Sequence, residues 1–148
     1  MGSVTLPAHG PIYLDANCFI YSVERVVPYV SFMDEVWTNV RNRHLPIITS
    51  ELTILEVLTK PIKLGDAVLE ASFRTVLFAS PDVRLMPITQ PILERAARLR
   101  AATSLKTPDA IHAATALEAA ATLFLTNDPA FRHIPGLAVT ILSDLLTP

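Results

Sequence analysis

The chain has 148 residues, 51% of them hydrophobic and 18% charged, which excludes a disordered chain and suits one domain (1–148) with a real core. A net charge of −2 excludes a strongly basic nucleic-acid-binding domain, so any nucleic-acid site must be a local patch. The single cysteine, Cys18, excludes an internal disulfide and suits a cytoplasmic location.

Pro11, Ile12, Tyr13 and Leu14 make a short apolar run that predicts a buried strand. Asp15-Ala16-Asn17 follows, and Phe19, Ile20, Tyr21 and Val23 predict a short helix, with Pro28 interrupting. Cys18, set among these apolar residues, is expected in the core. Phe32, Val36, Trp37 and Val40 recur at helical spacing and predict a helix over 29–43. Residues 45–49 predict a second strand, with Pro46 near its start, where proline is tolerated. Ser50 is placed to cap a helix that runs through Glu56 to about 59 and stops before Pro61.

A further helix is expected over 67–79, then a turn at Pro81-Asp82 and a strand over 83–86. Thr89 can cap a helix with Pro91 early in it and Glu94, Ala97, Leu99 and Ala102 along it. Thr107 can cap the next helix, Pro108 suits its first position, and Asp109 falls in a first turn whose dipole favours negative charge. Alanines carry that helix to about 121. A fourth strand over 122–125 ends in Thr126-Asn127-Asp128. One helical turn over 129–133, a fifth strand over 137–142 and a terminal helix capped by Ser143 complete the chain.

Short apolar strands alternating with helices predict an α/β fold, a parallel sheet of five strands covered on both faces. There is no repeat or linker. No apolar run approaches the roughly 20 residues of a membrane span, and the first residues lack the form of a signal peptide, so no membrane partner is expected. So few charges leave an apolar surface, which points to a dimer or a partner chain.

In such sheets the working site lies beyond the carboxyl ends of the strands. Asp15 follows the first strand, Asp128 follows the fourth, and Asp109 opens the helix that feeds the fourth. Glu56 joins them only if its helix leans over that edge. Each acid also has a plain structural reading. Asp15 can cap a helix, Glu56 can pair with Lys60, Asp109 can support a helix start, and Asp128 can close a turn. Taken together, those readings leave the coincidence of position unexplained.

Clustered carboxylates repel, by about 4 kcal/mol for two charges ~4 Å apart at an effective dielectric of 20. A hard divalent cation offsets that charge, and an all-oxygen ligand set points to Mg²⁺ or Mn²⁺ over Zn²⁺. The four histidines, His9, His44, His112 and His133, have no zinc-type spacing. His112, one turn beyond Asp109, can touch substrate or pack in the core. A metal held by acids suits phosphodiester hydrolysis, and Asn17 and Thr126 can hold a water or a phosphate oxygen beside it.

At these residues the chain resembles PIN-domain proteins, and specifically the bacterial VapC-type toxins. The matching pieces are Leu14-Asp15-Ala16-Asn17, then Ser50 with Glu56-Val57-Leu58, then Thr107-Pro108-Asp109-Ala110 with Ala113-Ala114-Thr115-Ala116-Leu117, and Leu125-Thr126-Asn127-Asp128 with Phe131. The resemblance spans about 11–142. It implies a three-layer α/β/α sandwich and a Mg²⁺- or Mn²⁺-dependent ribonuclease in which Asp15, Glu56, Asp109 and Asp128 are the catalytic, metal-holding acids. Asn17 and Thr126 match polar positions flanking that site. The resemblance also implies a homodimer, a cognate antitoxin and a structured RNA substrate such as tRNA or rRNA. The chain departs from the pattern in a longer leader before Asp15, and in Ala119-Ala120-Ala121, where a glycine is common.

RNA binding draws on lysine and arginine contacts. Arg25, Arg41, Arg43, Arg98, Arg100 and Lys106 are the candidates, most of them expected simply on solvated surfaces. With net charge near zero, recognition of RNA shape in a limited class of substrates is expected. Two other readings stay open: a haloacid-dehalogenase-like phosphohydrolase, against which Phe19 stands where that pattern has a threonine, and a non-catalytic PIN-like module that only binds a partner.

Overall fold

The computed structural model describes residues 2–146. Its centre is a sheet of five parallel strands: β1 (Ile12–Leu14), β2 (Ile47–Ser50), β3 (Val83–Met86), β4 (Leu123–Thr126) and β5 (Val139–Ile141), in the order β3-β2-β1-β4-β5. Six helices surround it: α1 (Ala16–Val23), α2 (Val30–Arg43), α3 (Leu52–Leu64), α4 (Ala67–Arg74), α5 (Gln90–Ala102) and α6 (Thr107–Glu118).

The period-two alternation of the strands sorts these helices into two layers. Ile12 and Leu14 of β1, with Ile47, Leu123 and Leu125, face α1–α4. Tyr13, Ile48 and Phe124 face α5 and α6 on the other side. Helix α6 meets the sheet through Ala110, Ala113, Ala114 and Ala116, all fully buried. Small side chains let its backbone lie close to Tyr13 and Phe124, whose rings stack 4.8 Å apart. Both faces are therefore covered, giving the three-layer α/β/α sandwich expected from the alternation of elements.

Several boundaries differ from the sequence expectation, each for a local reason. Strand β2 ends at Ser50, two residues of run-in being lost at Leu45 and Pro46. Helix α3 does not stop before Pro61 but runs through it to Leu64. Proline removes one backbone hydrogen bond there. Pro61 is nonetheless buried on the same helix face as Val57 and Leu58, and Gly65, at φ +66°, closes the helix one turn later. Its N–H reaches Ile62 O, and that of Asp66 reaches Pro61 O. Residues 67–79 split into α4 and a π-helical turn, Thr75–Ala79.

Thr107 is not a cap. It is the first residue of α6, and its hydroxyl accepts from Arg100. Helix α6 ends at Glu118, and Ala120 turns the chain at φ +54°. Ser143 lies inside a 3₁₀ turn, Leu142–Leu146, and caps nothing; its N–H donates to Asn127. Thr89 does cap α5, accepting from Ile92 N–H. Cys18 is fully buried, its thiol donating to Leu125 O. No helix among the described residues is long and apolar enough to cross a membrane.

Candidate active site

Chain order runs from β1 to β2 and β3 on one side of the sheet, then jumps back to β4 on the other side of β1. The carboxyl ends of β1 and β4 thus adjoin at the point where strand order reverses, the usual place for a ligand crevice in an open α/β sheet. A cleft of about 180 Å³ lies there, lined by Asp15, Asn17, Glu56, Asp109, His112 and Asp128.

Asp15 leaves β1 and caps α1. Its Oδ1 accepts from Cys18 N–H at 3.2 Å, and its Oδ2 accepts from the Thr126 hydroxyl at 2.5 Å. Burial raises its pKa above the ordinary carboxylate value, and these two donors work against the rise. Thr126, the fully buried last residue of β4, also accepts from Asp128 N–H at 3.0 Å. Asp128 accepts from Ala130 N–H at 2.9 Å, capping the 3₁₀ turn Pro129–Phe131. The helix-cap and turn-closing readings of these acids therefore hold, and the same residues also line the cleft.

Asn127, between them, points away. Its amide donates to Tyr21 and its oxygen accepts from Ser143 N–H, which pins the loop to α1 and to the chain after β5. Asp109 sits in the first turn of α6, half-buried, and accepts no hydrogen bond from the described residues. Burial raises its pKa, and the charges of Asp128 and Glu56 raise it further, while His112 and Lys106 oppose the rise. Asn17 is exposed at the cleft rim, in the first turn of α1.

Glu56 reaches the cleft from α3. It does not pair with Lys60, which bonds Glu24 at 3.0 Å instead. Its Oε1 lies 2.5 Å from His112 Nε2. His112 is only 2% exposed, and its Nδ1 lies 2.5 Å from the Tyr13 hydroxyl. That hydroxyl accepts Ser50 N–H at 3.1 Å. Burial pushes the Tyr13 phenol far above its ordinary value, so it keeps its proton. This chain from Glu56 through His112 and Tyr13 to the end of β2 is not visible in the sequence. Its partners are 99 and 56 residues apart, and Tyr13 reads there only as a strand former.

Among the basic candidates, Arg25 is tied to Asp34, Arg41 to Asp82, Arg43 to Pro7 O, and Arg100 to Leu105 O and Thr107. Arg98 and Lys106 are exposed with no hydrogen bond or ion pair among the described residues, and Lys106 adjoins the cleft beside Asp109.

The donor set suits a hard cation. It is all oxygen, its charges push against one another at Asp109, and Asp109 has no hydrogen-bond donor among the described residues. Among the described residues, no three acid, histidine or cysteine side chains stand close enough to hold an ion directly as they are placed. A cation that keeps part of its water shell, as Mg²⁺ does, would need fewer direct side-chain contacts. Phe19, where a phosphohydrolase of the haloacid-dehalogenase type has a threonine, is fully buried in the core and offers the cleft nothing.

Comparison with known proteins agrees with this architecture. A chain of a toxin–antitoxin complex from Klebsiella pneumoniae superposes with a TM-score of 0.66 at 27% identity, over 89% of this chain and 98% of that one. VapBC2 from Rickettsia felis, bound to a DNA fragment from its promoter, gives 0.71 at 17% identity, over 88% and 98%. VapC20 of Mycobacterium tuberculosis, a toxin that cleaves the sarcin–ricin loop, gives 0.64 at 14% identity, over 77% and 87%. No curated protein matches by sequence. The PIN domain family model matches residues 12–137, every strand except β5 included, and the chain belongs to the PIN domain family.

Proposed function

We propose that this chain is a metal-dependent endoribonuclease and the toxin of a type II toxin–antitoxin pair. The observation that carries the reading is the arrival of four acids from four elements at one cleft on the carboxyl edge of a PIN sheet. The kinship of fold with chains of toxin–antitoxin complexes supports the toxin role.

Asp15, Glu56, Asp109 and Asp128 would hold Mg²⁺ or Mn²⁺. When bound, such an ion lowers the pKa of water and offsets charge on a phosphodiester as it breaks. The chain's own groups do the rest. Thr126 and Cys18 N–H fix the Asp15 carboxylate so that it needs no rearrangement to meet a cation. Asp109, which accepts no hydrogen bond among the described residues, would contribute an unpaired carboxylate. Asn17, which lines the cleft, would donate to a phosphate oxygen, and Lys106 would draw the RNA backbone toward the cleft. With little free positive charge, selection falls on the shape of a structured RNA such as tRNA or rRNA.

The reading includes a cognate antitoxin and a homodimer in the cytoplasm. Exposed Leu55, Ile62 and Leu64 on α3 and Val68 on α4 give the apolar surface that a second chain would cover. Incubating the protein with structured RNA in Mn²⁺ and in chelator tests the activity. Cleavage in Mn²⁺ that is lost in D15N and D109N supports the reading, and full activity in both variants overturns it. A small DNA-binding protein encoded in the adjacent reading frame would support the antitoxin.

A further inference from the structure

Three of the four acids are held by what surrounds them or sit at a rigid start. Asp15 follows β1 directly and Asp128 follows β4 after Asn127, each accepting a backbone N–H, and Asp109 lies in the first turn of a helix whose residues 112–116 are buried. Glu56 differs. It has a longer side chain, it stands in the second turn of α3, and its side chain is 29% exposed. No backbone donor reaches it among the described residues. The group that does reach it is His112, on a helix from the opposite layer of the sandwich.

The direction of that bond follows from the proton count. Ser50 N–H can only donate, so it takes an acceptor lone pair of the Tyr13 hydroxyl. The buried Tyr13 proton then needs an acceptor: the Thr49 hydroxyl also lies near the phenol but is bonded to Thr53 at 2.6 Å, and Nδ1 of His112, 2.5 Å away, is the acceptor in direct contact. Nδ1 therefore accepts, which puts the ring hydrogen on Nε2, where it donates to Glu56 Oε1. Both ring nitrogens are engaged and the ring is almost wholly buried, so His112 is not free to touch RNA.

We propose that His112 is a positioning residue: held by the Tyr13 hydroxyl in its Nε2–H tautomer, it fixes the Glu56 carboxylate in the cleft and leaves Oε2 for the cation. The proposal rests on the metal-dependent reading given above. Asp109 and His112 lie one turn apart on α6, so one helix supplies an acid to the cleft and the anchor for another. Tyr13 is held in turn by its stack on Phe124 and by the end of β2, which ties the orientation of Glu56 to the sheet itself. Partners that orient metal-binding side chains in this way typically carry a 10- to 100-fold effect on affinity or activity.

The test uses the intact chain, with Mn²⁺ alone as the probe in titration calorimetry. H112N keeps a polar group near the Nδ1 position but cannot reach Glu56, and it is expected to weaken Mn²⁺ binding about 10- to 100-fold. H112Q, whose amide nitrogen reaches the Nε2 position, is expected to restore most of that affinity. Y13F keeps the aromatic stack but frees the tautomer, and is expected to weaken binding by less than H112N. In RNA cleavage H112N should lower kcat with little change in KM, because the ring does not touch RNA. The imidazole ¹⁵N spectrum of metal-free protein should show the Nε2–H tautomer in the wild type and a mixture in Y13F. An Nδ1–H tautomer in the wild type, or H112N binding Mn²⁺ as tightly as the wild type does, overturns the positioning role and leaves the metal site standing. A wild type that binds no Mn²⁺ overturns the metal reading and the role together.

Discussion

The Thr126 hydroxyl stands between two acids, donating to Asp15 Oδ2 and accepting from Asp128 N–H. One buried oxygen thus couples the ends of β1 and β4. Thr126→Val keeps the shape and removes the bond. Leaving a buried acceptor and a buried donor unmet should cost about 1–3 kcal/mol of stability, measurable by urea unfolding. T126S should recover most of it.

Asp15 and Asp109 are both held above the ordinary carboxyl value of about 3.9, chiefly by burial. An acid whose pKa is raised on folding stabilises the fold below its unfolded value, and that contribution is lost as pH rises through the folded value. Metal-free protein should therefore carry a penalty from these two groups at neutral pH. Asp34 and Asp144, held low by Arg25 and Arg132, act in the opposite sense, so wild type alone is a poor readout. The comparison is with D109N. In chelator D109N should melt higher than the wild type at pH 7, and the gap should close as pH falls toward 4.

Metal should reverse that penalty. Addition of Mn²⁺ should raise the melting temperature of the wild type at pH 7 by more than at pH 5, since ionised acids bind a cation and protonated ones do not. In D109N the increment should be much smaller. Thermal melts with and without chelator check both.

Asn17 is exposed and bonds to nothing among the described residues, so Asn17→Ala should leave stability within about 0.5 kcal/mol of the wild type. If it donates to a phosphate oxygen, RNA cleavage should fall about 10-fold or somewhat more, the worth of one hydrogen bond to a charged group. The pairing of an unchanged melt with a reduced rate is the readout.

Ala120 adopts φ +54° between α6 and β4, in the segment where the family pattern often has glycine. An L side chain there costs about 1–2 kcal/mol, offset in part by the extra freedom that glycine has when unfolded. Ala120→Gly should stabilise the protein by about 0.5–1 kcal/mol in urea unfolding.

Much of the fold could be read from the chain because its strands are short, apolar and bounded by clear breaks. Val83–Met86 falls where expected, and Asp15, Asp109 and Asp128 reach the edge by the rule for parallel sheets alone. Pro61 misled because local stereochemistry argues for a helix end, while burial beside Val57 and Leu58 carries the helix on. Thr107 misled because any hydroxyl before an acid looks like a cap, yet its oxygen serves Arg100. Glu56 was placeable only through a lean of α3 that periodicity does not encode. Its tie to His112 and Tyr13 belongs to tertiary structure alone, since three residues distant in sequence meet only once the sandwich has closed.

The four fully buried alanines of α6 leave no slack between that helix and the sheet. A methylene added at Ala113 or Ala114 would have nowhere to go but outward, and α6 would ride up with Asp109 and His112 aboard. The shape of the acidic hollow is thus governed by the smallest side chains in the molecule, none of which faces it. Selection on this cleft would register at those buried methyl groups as sharply as at the carboxylates.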